Sequence, residues 1–238
     1  MKVAIIQFPG TNCDYDSLHV LQNVLKVDAS IFWYNSDGLE KFDAIIIPGG
    51  FSYGDHLRSG IIAAKSNIIN NIRDFANAGK PVLGICNGFQ VLVESELLPG
   101  ALLPNSSTKF TCKWVNLKVE NNSTIFTSIF EKNSVIKMPV AHHEGRFFGD
   151  QSLLNDMDNN HQIVFRYTDS DGNITDNSNP NGSVENIAGV CNRAGNVMGL
   201  MPHPERASEQ ILSPFNSDHG LQLFSSMLRS IEVIKKNE

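Results

Sequence analysis

Three short runs of apolar, mostly β-branched residues constrain the fold most: Val3 to Phe8, Ala44 to Ile47 and Val82 to Ile85. None alternates polar with apolar residues, so each reads as a strand buried on both faces, the pattern of a parallel sheet covered by helices. Val3 to Phe8 stops at Pro9-Gly10, Ala44 to Ile47 stops at Pro48-Gly49-Gly50, and Val82 to Ile85 runs into Cys86-Asn87-Gly88. Helical spacing fills the gaps. Leu18, Leu21, Val24 and Leu25 recur after Asp14, which is expected to cap that helix, and Ile68 to Ala78 is a helix stopped by Gly79. Ala29 to Trp33 adds a further strand and completes a βαβ unit with strand one, which is expected to be central. Alternating strands and helices predict an α/β fold with a mainly parallel sheet, helices on both faces and ligands beyond the carboxyl ends of the strands.

After Trp114 the texture changes. Val115 to Val119 and Ile163 to Tyr167 are strand-like pieces separated by polar turns, so antiparallel strands are expected to extend the sheet. Asp169 to Asn186, with Asp171-Gly172 and Asn181-Gly182, reads as a mobile hairpin excursion. A last strand, Val197 to Met201, leads into Pro202-His203-Pro204-Glu205, and Gly220 to Ile234 closes as a helix with Leu221, Phe224, Met227, Leu228 and Ile231 on one face. The 238 residues suit one domain, 1–238, with 41% hydrophobic and 18% charged residues. A net charge of -6 offers no attractive field to nucleic acid or anionic lipid, and Lys235-Lys236 reads as a tail. The apolar start is too short for a signal peptide or membrane span, so a cytoplasmic protein is expected. Cys13, Cys86, Cys112 and Cys191 have no paired spacing, which argues against disulfides and a cysteine-rich zinc site.

Cys86 stands between a buried strand and a helix, with Gly84 and Gly88 two residues to either side. This is the pattern of a nucleophile elbow, in which the helix amino terminus favours a thiolate. Such a nucleophile needs a proton carrier and a group to orient it. His203 is held between two prolines, and in an extended stretch Glu205 would face the same side as its ring. Gly49 and Gly50 offer backbone N–H groups for an oxyanion hole, with Asn87 as the second donor. Each piece alone has a bland reading, as a core thiol, a proline-rich turn or a loop. Together they supply the parts of acyl transfer.

Gly84-Ile85-Cys86-Asn87-Gly88-Phe89-Gln90, Pro48-Gly49-Gly50 and His203-Pro204-Glu205 resemble the class I glutamine amidotransferases. Gln7-Phe8-Pro9-Gly10-Thr11-Asn12-Cys13-Asp14, Pro48-Gly49-Gly50-Phe51-Ser52-Tyr53-Gly54-Asp55 and Ala141-His142-His143-Glu144-Gly145-Arg146-Phe147 are similar to the glutaminase subunits of phosphoribosylformylglycinamidine synthase. The resemblance implies a flavodoxin-like core, glutamine as substrate and a Cys86-His203-Glu205 triad. It also implies an oxyanion hole of Gly50 and Asn87, and glutamine binding by Gly49, Gly50 and Gln90. A large ATP- and magnesium-using synthetase and a small third subunit are the implied partners, with no cofactor or metal in this chain; the sequence has no phosphate-binding Gly-rich loop with Lys-Ser or Lys-Thr.

Two other readings use the same residues. One is a different cysteine hydrolase or thiol-redox protein on a flavodoxin-like fold. The other is a metal site at His142, His143 and His203 with a carboxylate, which is opposed by adjacent histidines pointing to opposite faces of an extended segment. The 142–145 segment is expected either beside the pocket or in direct contact with glutamine. Phe51, Tyr53, His56 and Arg58 are candidates to face the synthetase, with core packing the alternative for Phe51.

Overall fold

The structure, a computed structural model, describes residues 1–237 without the side chains of Ile234 and Asn237. Glu238, the end of the span expected to form one domain, lies outside the described residues. The first half runs β1 (Lys2–Gln7), α1 (Asp14–His19), β2 (Asp28–Trp33), β3 (Ala44–Ile47), α2 (Ile61–Ala64), α3 (Ile68–Asn77), β4 (Val82–Ile85), α4 (Asn87–Glu94), β5 (Ala101–Leu103) and β6 (Thr111–Val119). It continues with β7 (Val135–His142), β8 (Arg146–Phe148), α5 (Gln151–Asn159), β9 (Ile163–Thr168), β10 (Ile187–Cys191), β11 (Val197–Leu200) and α6 (His219–Asn237).

Nine strands form one sheet in the order β2-β1-β3-β4-β11-β10-β9-β6-β7. The pairs from β2 through β11 are parallel, and those from β11 to β7 are antiparallel. The added antiparallel strands expected after Trp114 are therefore present. β1 is fully buried over Val3 to Ile6 but stands second from the edge; β11 is the middle strand. Burial on both faces reports that a strand is covered by helices, not its position in the sheet order. The chain steps from β1 to β2 in one direction and from β3 to β4 in the other, so right-handed crossovers place α1 and α3 on opposite faces. The reversal opens a crevice beyond the carboxyl ends of β1 and β3.

Three local expectations change. Asp14 does not cap α1: Cys13 holds the N-cap position without a side-chain bond to the helix backbone, while the Asp14 carboxylate accepts from Gln7 Nε2 at 2.5 Å. Lys235 is no loose tail residue, because α6 continues past it and its Nζ lies 2.8 Å from Asp43 Oδ1. The segment 169–186 forms no hairpin. Short 3-10 turns at Asp176–Ser178 and Val184–Asn186 fold it inward and bury Asn181, Ser183 and Asn186. Asn186 Nδ2 donates to Tyr167 O at 3.0 Å, and Asn181 Nδ2 to Gly145 O at 2.7 Å. Polar composition marks turns, but asparagine can also satisfy buried backbone groups.

Candidate active site

Four strand ends converge. Beyond β1 lies Thr11 to Cys13, beyond β3 lie Gly49 and Gly50, beyond β4 lies Cys86, and beyond β11 lies His203. Cys86 turns the chain from strand into helix at φ 50°, ψ -104°, a conformation that costs a non-glycine residue roughly 1–3 kcal/mol. Its N–H donates to Leu200 O at 2.8 Å, and its Sγ lies 3.7 Å from Ala141 O. Gly84 and Gly88 make the elbow possible by packing rather than by positive φ. A Cβ on Gly84 would lie 2.6 Å from Leu92 Cδ1, and one on Gly88 would overlap the carbonyl of Ile47.

His203 Nδ1 is 2.5 Å from Glu205 Oε1, and both residues are 2% exposed. Their meeting was expected from an extended backbone, but Glu205 sits in a 3-10 turn, Pro204–Ala207, that His203 caps. The His203 N–H donates to Pro139 O at 2.8 Å, pinning this turn to β7. With Nδ1 engaged, Nε2 is the free ring nitrogen, and no protein group bonds it among the described residues. Burial alone would disfavour the imidazolium; Glu205, then Cys86, outweigh it and raise the pKa well above the ordinary histidine value.

Gly49 stands between these groups. A Cβ there would lie 2.9 Å from His203 Cε1, 3.1 Å from Cys13 Sγ and 3.5 Å from Cys86 Cβ. Gly50 has φ 152°, and a Cβ on it would lie 2.8 Å from both Asn12 N and Thr11 Cα. The bridge between Thr11 and Gly50 is closed by Phe51 N–H to Gly10 O at 3.0 Å and Asn12 N–H to Gly49 O at 3.4 Å, so it does not use the Gly50 N–H. Asn87 is the first residue of α4, where an N–H has no intrahelical acceptor.

A cavity opens on Cys86, lined by Gly50, Asp55, Ser59, Gln90, His142 and Glu144, among others. Gln90 Nε2 donates to Glu144 O at 2.5 Å, and Gln90 Oε1 accepts from Asn87 Nδ2 at 2.9 Å. Asn87 Oδ1 in turn accepts from Ser52 N–H at 3.1 Å, tying the elbow to the turn that carries Asp55. The Asp55 carboxyl is pushed up by burial and by the Glu144 charge, against a lowering bond from Ser59. Two acids facing one cavity favour a cationic guest.

His142 is buried and His143 exposed, as their opposite facing requires. His142 Nδ1 pairs with Asn105 Oδ1 at 3.1 Å, and a Cβ on Gly145 would overlap the His142 ring. The histidine set weighed for a metal is therefore not assembled. Donor atoms of Cys13, His203 and Glu205 do lie within 4.8 Å of one another, but the Arg206 guanidinium bonds the Cys13 sulfur at 3.0 Å and opposes a cation there. Phe51, His56 and Arg58 are exposed, with Arg58 paired to Glu94, whereas Tyr53 packs near Phe8 and Tyr34.

Reading residues singly missed Asp55, Ser59, Asn105 and Asn181. The signal for Asp55 lay at the end of the Pro48 to Asp55 motif; Asn105 and Asn181 had none, since both act through contacts with the distant 142–145 segment.

The CobB/CobQ-like glutamine amidotransferase domain matches residues 1–229. The phosphoribosylformylglycinamidine synthase subunit PurQ of Methanosarcina mazei is 57% identical over 227 residues, covering 95% of this chain and 97% of the relative. The chain belongs to the PurQ glutamine amidotransferases. The PurQ subunit of Aquifex aeolicus is 52% identical over 228 residues, covering 96% of this chain and 99% of its own. A chain in the structure of PurLQS from Thermotoga maritima aligns with TM-score 0.83 at 44% identity, over 96% of this chain and 97% of that one. Another Thermotoga maritima glutamine amidotransferase, at 15% identity and TM-score 0.55 over 98% of this chain and 96% of its own, shares the fold. No helix among the described residues is long and apolar enough to cross a membrane.

Proposed function

We propose that this chain is the glutaminase subunit of phosphoribosylformylglycinamidine synthase and hydrolyses glutamine to glutamate and ammonia. The observation that carries the reading is that Cys86, which lines a cavity with two acids on its wall, and His203, paired with Glu205, both stand against Gly49. The Cys86 thiolate attacks the carboxamide carbon, and the N–H groups of Gly50 and Asn87 hold the oxyanion. His203 protonates the departing ammonia through Nε2 and then takes a proton from the water that opens the thioester. Glu205 keeps the ring oriented and its cation stable. Gly49 and Gly50 let the substrate approach the backbone, Gln90 supports the cavity wall from within, and Asp55 with Glu144 receives the α-ammonium group.

Ammonia passes to a large synthetase subunit, which uses ATP and magnesium to convert formylglycinamide ribonucleotide to formylglycinamidine ribonucleotide. The relative from Thermotoga maritima was solved as PurLQS, which supports a three-part assembly with a small third subunit. Docking of these partners completes the site, so the isolated chain hydrolyses glutamine weakly.

The test is synthesis by the assembled complex with Cys86→Ala. Glutamine-dependent synthesis should vanish and ammonia-dependent synthesis should persist; loss of both, or of neither, would contradict this division of labour. A chloroketone analogue of glutamine separates this reading from another cysteine hydrolase, because it should alkylate Cys86 and spare the other thiols.

A further inference from the structure

A second thiol lies against the His203 ring. Cys13 is 2% exposed, and its sulfur lies within 4.8 Å of a ring nitrogen of His203, on the far side of the space that a Cβ on Gly49 would fill. It does not line the cavity that opens on Cys86. Cys13 Sγ–H points to Asn12 Oδ1 at 3.1 Å, while Arg206 Nη2 donates to the same sulfur at 3.0 Å. Proton and lone pair are thus both engaged, and burial raises the thiol pKa against the lowering pull of His203 and Arg206. A thiol so buried and occupied makes a poor second nucleophile.

Arg206 gives the arrangement its consequence. Its Nε reaches Asp16 Oδ2 at 3.3 Å and stands 3.9 Å from Glu205 Oε1, one step beyond a hydrogen bond. Glu205 Oε2 is buried with no protein partner among the described residues, an open acceptor beside a cation. Without the sulfur, the guanidinium is free to close on Glu205 in the bidentate manner that arginine favours. Glu205 would then be shared between Arg206 and His203.

We infer that Cys13 is a positioning residue of this site: it walls the His203 ring and ties Arg206 down, so that Glu205 serves His203 alone. The inference rests on the roles proposed above for Cys86, His203 and Glu205. The groups facing His203 are Glu205 and Arg206 on its own turn, Cys13 before α1, Cys86 at the elbow and His142 from β7, with Asp16 behind Arg206.

The experiment measures glutamine-dependent turnover of the assembled complex against pH, with Cys13→Ala, Cys13→Val and Cys13→Ser. Cys13→Ala should lower kcat roughly 10- to 100-fold with KM for glutamine within about twofold, since the ring and not the substrate loses support. The alkaline limb of the kcat profile should move down by about one pH unit, because the imidazolium that protonates ammonia loses part of its counter-charge. Cys13→Val retains bulk without a sulfur acceptor and should behave like Cys13→Ala. Cys13→Ser keeps the acceptor and should recover most of the rate. Adding Arg206→Met to Cys13→Ala should return the limb towards its original pH, since the competitor for Glu205 is gone.

A fall in kcat with no movement of the limb would reduce Cys13 to a packing residue and overturn the inference, as would a kcat within twofold in both Cys13→Ala and Cys13→Val. Cys86→Ser, run in parallel, separates the two levels. Full glutamine-dependent turnover in Cys86→Ser would sink the nucleophile assignment, whereas an inactive Cys86→Ser beside an unaffected Cys13→Ala would sink only the role of Cys13.

Discussion

Gln90 Nε2 reaches the backbone carbonyl of Glu144 at 2.5 Å, joining the first turn of the elbow helix to a segment 54 residues away. Through this bond the helix that presents Cys86 also sets one wall of the cavity. Gln90→Ala should therefore loosen the 142–145 segment and raise KM for glutamine roughly tenfold, about 1.4 kcal/mol of lost ground-state binding, with a smaller change in kcat. Steady-state kinetics of the complex checks this. An unchanged KM would mean that the wall holds without Gln90.

Gly49 leaves no room for a side chain beside His203 Cε1 and Cys13 Sγ. Gly49→Ala should displace the imidazole by a few tenths of an ångström and cost on the order of 100-fold in kcat, since sub-ångström misplacement of reacting groups is expensive. Thermal unfolding should place the loss in chemistry rather than folding, with only a modest drop in Tm. A variant with normal kcat would show that His203 has slack in its seat.

Cys86 holds a positive φ that its side chain disfavours. Cys86→Gly should be more stable than Cys86→Ala by roughly 1 kcal/mol, because glycine relieves the backbone strain while both remove the thiol. Equilibrium denaturation of the two variants measures the difference. Equal stabilities would place the strain elsewhere.

His142 is buried, and burial, helped by the charge of His203, lowers its pKa from 6.5 to about 4. The unfolded chain therefore binds more protons at this residue between those values. Its contribution to stability is whole above about pH 6.5 and is lost progressively as pH falls towards about 4, on the order of 3 kcal/mol in all. His142→Gln, which can keep a bond to Asn105, should flatten that part of the pH–stability curve. Identical acid slopes in the two proteins would remove His142 as the source.

Much of this protein was legible along the chain because the relevant forces are local or periodic. The apolar runs of β1, β3 and β4 marked buried parallel strands, and glycines around Cys86 marked a tight strand-to-helix turn, since only a missing Cβ allows such approaches. Other features resisted because they depend on partners far away in sequence. The polar stretch 169–186 looked like a solvated excursion, yet Asn181 and Asn186 are buried where they satisfy backbone groups of Gly145 and Tyr167. Lys235 looked like a tail until Asp43 came within 2.8 Å of it.

The order of residues carried the α/β alternation, the elbow and the neighbouring of His203 with Glu205, because each is set by spacings of a few residues and by backbone stereochemistry. The sheet order, the seating of Gly49 between Cys86 and His203, and the placement of Cys13 and Arg206 behind the imidazole were decided only when β1, β3, β4 and β11 brought their ends together. Those contacts join segments as far as 193 residues apart, and hydrophobic burial of the sheet, which has no preferred direction along the chain, is what brings them within reach.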